Sequence, residues 1–142
     1  MSQKTLLLLP LIGMFWLTVG IALWVLKLRY RAVLKDGVNP AYFKLNKGAK
    51  LPNYLIKVTQ HFENIFEMPP LFYVSIILVM TLDLSDTGYV VLSWLYLLFR
   101  FVHAYIHTTY NYVPHRRNAF IMSAIVLILI WARLTVDVLM MG

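Results

Sequence analysis

Four stretches of the chain are depleted of charge over lengths that match a lipid bilayer, and the polar residues gather between them. The first uncharged run, Leu6 to Leu26, holds 21 residues; a helix rising about 1.5 Å per residue needs about 20 to cross a hydrocarbon core about 30 Å thick. It passes directly into Lys27-Leu28-Arg29-Tyr30-Arg31 with no small-residue cleavage site, so it reads as a retained span over about 5–28 rather than a removed leader. A second span is expected over 52–82, opening at Pro52, a favoured first helical position, and closing before the turn-forming run Asp83-Leu84-Ser85-Asp86-Thr87-Gly88. Its uncharged part, Met68 to Leu82, has 15 residues, which puts Asn64 and Glu67 at or just inside the membrane boundary. The third span is expected over 89–112 and carries Arg100 about 17 Å from its start. The fourth, over 118–140, is entered through Val113-Pro114-His115-Arg116-Arg117 and holds Arg133 and Asp137 four residues apart.

Composition strengthens this picture. The chain is 61% hydrophobic, 15% aromatic and 13% charged, whereas roughly 25% of an average soluble domain is charged. A single domain of 142 residues could not hide that much apolar surface from water. The expectation is an all-α membrane protein built as a four-transmembrane-helix bundle over residues 1–142. With no cysteine, a disulfide framework, a thiolate metal site and a cysteine nucleophile are all excluded, and the four histidines do not form a zinc motif. No metal is expected.

The net charge of +7 would suggest nucleic acid on a soluble face, but its placement argues against that partner. Eight of the thirteen Lys and Arg lie between Lys27 and Lys57, opposed only by Asp36. That is a juxtamembrane loop suited to anionic headgroups or a small anionic ligand. The second loop carries no Lys or Arg and the third carries Arg116 and Arg117, so the positive-inside rule puts the first and third loops in the cytoplasm and both termini outside.

A charge inside a bilayer costs at least about 2.5 kcal/mol, so it faces a partner helix or a wet cavity and is a functional candidate. Arg133 and Asp137, one helical turn apart, read as a structural ion pair. On the third span Arg100, His103, His107 and Tyr110 follow at i, i+3, i+7 and i+10, one polar stripe. On the second, His61, Asn64 and Glu67 form a matching stripe, and Glu67 with Arg100 is the natural ion pair, because each would otherwise be an uncompensated charge. Its role is either to lock two helices together or to serve a site. Met68-Pro69-Pro70 follows directly and predicts a kink that opens space beside Glu67. Arg29 and Arg31 at the end of the first span, and Arg116 and Arg117 at the start of the fourth, are placed to converge at the level of Asn64 and His103. Guanidinium groups there suit carboxylates or phosphates, and Arg31 and Arg117 read as topogenic anchors.

These residues resemble those of the family of membrane-associated proteins in eicosanoid and glutathione metabolism, MAPEG, along the whole chain. The resemblance lies in the Arg29-Tyr30-Arg31 exit of the first span, in Asn64-Ile65-Phe66-Glu67 within FENIFEMPPLFY, in Arg100-Phe101-Val102-His103, and in Pro114 followed by Arg116. It implies a homotrimer with sites between neighbouring subunits. It also implies a glutathione-dependent transferase or peroxidase acting on lipophilic electrophiles that arrive from the lipid. In that reading Arg29, Asn64, Glu67, His103, His107 and Tyr110 contact glutathione and Arg116 holds its sulfur as the thiolate. Gln60 stands where the family carries arginine and Glu63 where some members place another, so one or two cations expected at a glutathione carboxylate are missing, and His107 stands where many members have tyrosine. Non-catalytic members keep the architecture as lipid-binding scaffolds, which is the alternative reading. A small transporter is a third, disfavoured because the chain shows no repeat and gathers its polar groups toward one side. Compact loops without targeting motifs fit a bacterial inner membrane.

The orientation is testable. Cysteines introduced at Ala49 and Ser85 should react with impermeant thiol reagents from opposite faces of the membrane, and labelling from one face alone contradicts the assigned topology.

Overall fold

The computed structural model describes residues 1–45 and 50–142, so 46–49, with Lys47 of the basic loop and the labelling position Ala49, lie outside the described residues. Among the described residues the chain forms six helices and no strand: α1 (Gln3–Asp36), α2 (Tyr42–Leu45), α3 (Asn53–Asn64), α4 (Pro69–Thr81), α5 (Thr87–Thr108) and α6 (Val113–Met141). Four units are long and apolar enough to cross a membrane: α1, α3 with α4, α5 and α6. The protein is therefore an all-α, multi-pass integral membrane protein.

Local chemistry sets the helix ends. Ser2 caps α1 by accepting the Thr5 N–H, and Gly37, in the left-handed region at φ 67°, closes it with an N–H to the Ala32 carbonyl. The helix thus runs beyond the expected 5–28 at both ends. The second span is two helices rather than one kinked helix. Pro69 and Pro70 lack the N–H groups that would bond one turn back, so α3 ends at Asn64 and α4 restarts on the proline pair. Asp86 caps α5 through the Tyr89 N–H. Pro114 lies in the first turn of α6, which starts earlier than the charge pattern suggests because a proline is tolerated there.

The helix α5 is the centre of the bundle, packing against α1, α3 and α6. Leu7, Met14, Phe72, Ile76, Tyr96 and Ile130 form the main core around it, with the Phe72 and Tyr96 rings stacked at 4.3 Å. Two serine hydroxyls within this apolar interior are satisfied locally, Ser75 donating to the Phe72 carbonyl and Ser93 to the Tyr89 carbonyl, whereas the buried Tyr96 hydroxyl has no partner in the chain. The outward faces carry Trp16, Leu23, Ile77, Leu98 and Ile128, all exposed, a surface that is stable only against lipid or another apolar face.

One end of the bundle is held by charge. Lys4 pairs with Asp83, and Gln3 donates to the Thr87 hydroxyl, tying the start of α1 to the α4–α5 turn. Arg133 pairs with Asp86 and, at 3.5 Å, with Asp137, and its guanidinium stacks over the Tyr89 ring at 4.2 Å. The Tyr89 hydroxyl donates to Asp137 at 2.7 Å. The expected Arg133–Asp137 pair is present, and Asp86 enlarges it to a network across two helices. Both termini and the second loop therefore share one end of the bundle. At Asp86 burial acts to raise the carboxyl pKa, but the Tyr89 N–H and Arg133 outweigh it and hold it below the ordinary carboxylate range. A depressed folded-state pKa means that this contribution to stability is present at neutral pH and is lost as the pH falls through it.

Gly88 leaves no room for a side chain, since an added Cβ would overlap Arg133 Nη1. Gly88→Ala should lower stability by about 1–3 kcal/mol through that displacement. Gly20→Ala, on α1 with open space around it, should be neutral or stabilising; thermal unfolding in detergent distinguishes the two, and equal midpoints contradict the packing described.

Candidate functional site

The polar stripe of α5 is buried as far as the helix lasts. Arg100, His103 and His107 are at most 2% exposed and face α3 and α6. Tyr110 is a correction: α5 ends at Thr108, so the i+10 position falls beyond the helix, and Tyr110 is exposed with its hydroxyl 3.3 Å from His115 Nδ1. The turn between α5 and α6 needs Asn111 in the left-handed region at φ 50°. Asparagine tolerates that conformation better than most residues, and its side-chain oxygen accepts from Arg116 Nη1 at 2.9 Å. The turn residue thus orients the arginine that opens α6.

The break in the second span shapes the opposite wall. In the turn after α3 the Asn64 carbonyl leaves the regular helical ladder and accepts weakly from the Glu67 N–H, at 3.4 Å. Arg100 Nη2 reaches the same carbonyl at 3.4 Å. The expected Glu67–Arg100 ion pair does not form within one protomer: the turn leaves Glu67 exposed, while Arg100 is buried against backbone. Arg100 Nε and Nη1 have no hydrogen-bond partner in the protomer.

Asn64, Glu67, His103 and Arg116 line one groove of about 340 Å³, together with Val113, Arg117 and Phe120. Four residues assigned from the sequence therefore meet. Arg117, read from the sequence as an anchor, and Phe120, not singled out, complete it. The signal for Phe120 was the helical repeat from Arg116, which puts it one turn on, on the same face of α6.

Arg29 lies elsewhere. It lines a separate groove of about 440 Å³ with Tyr42, Phe43, Lys50, Gln60 and Glu63, its guanidinium 5.3 Å from the centre of the Phe43 ring. Arg31 stacks on Tyr54 at 5.1 Å. Glu63 and Asn64, adjacent in sequence, open onto different sides of α3, and Arg29 and Arg116 line separate grooves. His107 does not line the groove, and packs instead beside His103 and His61, with ring centres 5.6 and 5.2 Å away. Among the described residues no cluster of three His, Asp or Glu is arranged to hold a metal ion.

The arrangement presents two guanidinium groups, a carboxylate, an amide and an imidazole to one open groove at the end of the bundle opposite the termini. It can bind a zwitterionic or anionic molecule with its polar atoms toward Arg116 and Arg117, and its apolar rim lets a hydrophobic molecule approach. Compared with known proteins, residues 7–136 match the model of the MAPEG family. No curated protein and no solved structure matches the chain.

The Asn111 turn yields a prediction. Asn111→Ala should cost about 1–2 kcal/mol, from left-handed strain and from the lost Arg116 partner. Asn111→Gly should recover most of the loss, because glycine removes only the strain. Equal unfolding midpoints for the two variants contradict the role assigned to the backbone.

Proposed function

The chain belongs to the MAPEG family, which makes it a membrane protein of glutathione or eicosanoid metabolism in general, and on that premise we propose that it is a glutathione-dependent transferase or peroxidase acting on lipophilic electrophiles. The observation that carries this reading is the convergence of Asn64, Glu67, His103 and Arg116 on one groove, with Arg116 held in place by Asn111. Glutathione supplies one amine, two carboxylates and a thiol. Glu67 is suited to the amine, Arg117 to a carboxylate, and Asn64 and His103 to the peptide atoms.

Arg116 holds the sulfur. A free thiol has a pKa of about 8.5 and only its thiolate is strongly nucleophilic, so a guanidinium beside the sulfur raises the reactive fraction at neutral pH. The thiolate lone pair then attacks an electrophilic carbon of a substrate entering from the lipid, or the oxygen of a hydroperoxide, and the leaving group departs with the electrons of the broken bond. Sequestering the thiolate in a groove bounded by apolar residues strengthens its interaction with the cation.

The homotrimer is part of this proposal. Arg29, Gln60 and Glu63 open onto a groove on the other side of α3, and a neighbouring protomer could bring that groove to the first one. Arg29 would then complete the binding site across a subunit boundary, and the exposed apolar faces would be covered in part by protein. His107 and Tyr110 act from behind and beside the site rather than on the ligand in this arrangement. The second reading, a lipid-binding scaffold without catalysis, is favoured by Gln60 and Glu63, which leave the Arg29 groove with fewer cations than a tripeptide dicarboxylate would use.

Titration calorimetry of the detergent-solubilised protein with glutathione, with thiolate absorbance followed in parallel, separates the two. The enzyme reading expects binding below millimolar ligand and a thiolate signal. Arg116→Ala should cut that signal at least about tenfold, the weight of one charge-assisted bond of about 1.5–3 kcal/mol, while weakening binding less. Absence of binding at millimolar glutathione selects the scaffold.

A further inference from the structure

Behind the groove, three imidazoles meet inside the protomer. The ring centres of His61 and His103 lie 5.3 Å apart, those of His61 and His107 5.2 Å, and those of His103 and His107 5.6 Å. These rings and Arg100 are at most 2% exposed. Both ring nitrogens of His61, Nδ1 of His103, Nδ1 of His107, and Nε and Nη1 of Arg100 are buried with no hydrogen-bond partner in the chain. Six such nitrogens side by side are not an apolar core in disguise, because a buried donor or acceptor left unpaired is costly and normally meets protein or internal water. Among the described residues the histidines are not arranged as a metal site, and a neutral imidazole presents one donor and one acceptor. Water can serve both.

We propose that His61, His103, His107 and Arg100 enclose hydrogen-bonded water and form a proton relay that opens onto the groove at His103. His103 is the one imidazole of the three that lines the groove, and His107 lies in the last turn of α5. The cluster therefore runs from the groove to the last turn of α5 at the same end of the bundle, where Lys57 Nζ donates to the Thr109 carbonyl. The identity of the proton rests on the glutathione reading. When the thiol is bound, its S–H bond breaks with the electron pair staying on sulfur, and the proton goes to a free ring nitrogen of His103. The proton on the other nitrogen of His103 passes through water to a free nitrogen of His61, the proton on the second nitrogen of His61 passes to His107, and His107 releases the proton from its own second nitrogen to bulk water. Each imidazole returns to its starting proton count, and no co-reactant is consumed. Each ring uses both of its nitrogens, one accepting a proton as the other releases one. The relay thus works from neutral histidines that each carry a proton only in passing.

Two measurements on the full-length protein in lipid nanodiscs test this. With histidine labelled with nitrogen-15, the ring N–H signals of wild-type His61, His103 and His107 should exchange with water within seconds; rings that stay protected for hours are dry, and the relay is refuted. In stopped-flow mixing with glutathione, His61→Phe should slow thiolate formation roughly a hundredfold, the low end of what a positioned proton acceptor contributes, with the final thiolate amplitude kept within about twofold of wild type. An unchanged rate in a folded His61→Phe also refutes it. If wild type forms no thiolate while its ring protons exchange rapidly, the glutathione reading fails and the hydrated relay stands on the exchange result alone.

Discussion

Pro69 and Pro70 remove two consecutive backbone donors from the second span, and the arrangement of the site follows from that single loss. A helix cannot run through two adjacent residues that neither donate nor leave room for the carbonyl one turn back. The chain closes α3 at Asn64, turns, and begins α4 on the prolines, the one helical position where a missing N–H costs little. The turn sends Glu67 outward to the groove and leaves the Asn64 carbonyl within reach of Arg100. An uninterrupted helix would instead have kept Asn64 and Glu67 on the continuous stripe that suggested a direct Glu67–Arg100 pair.

The two ends of the bundle solve the cost of charge differently. At the end holding the termini, Asp86, Arg133 and Asp137 neutralise one another, with Tyr89 donating into the network and stacking beneath the guanidinium. Each of these three charged side chains has a partner, and the network ties α5 to α6. At the opposite end Arg100 is buried with only a backbone carbonyl for company, and Arg116 and Arg117 face an open groove. Cations left incompletely paired beside a cavity are suited to a ligand, whereas cations fully paired inside a bundle serve architecture.

The placement of α3 between two grooves divides the polar residues assigned from the sequence into two groups. Residues that follow one another along α3 point about 100° apart, so Glu63 opens toward Arg29 while Asn64 opens toward Arg116. The broad exposed apolar faces of α1, α4 and α6 must each meet lipid or another apolar surface.

What the sequence by itself determined is what depends on neighbours along the chain. The four spans are set by apolar length against bilayer thickness, the helix break by two prolines, and the Arg133–Asp137 pair by a spacing of one turn. The grouping of Asn64, Glu67, His103 and Arg116 was legible too, because charged and amide groups at membrane depth have few places to go. Tertiary structure alone decided the rest. Asp86 joins Arg133 across 47 positions, Tyr110 leaves its stripe because α5 stops at Thr108, Arg29 faces a second groove, and His61 turns inward to complete a triangle with His103 and His107. Helical periodicity fixes which residues share a face of one helix. Which faces meet, and where a helix stops, is settled by packing between segments distant in sequence.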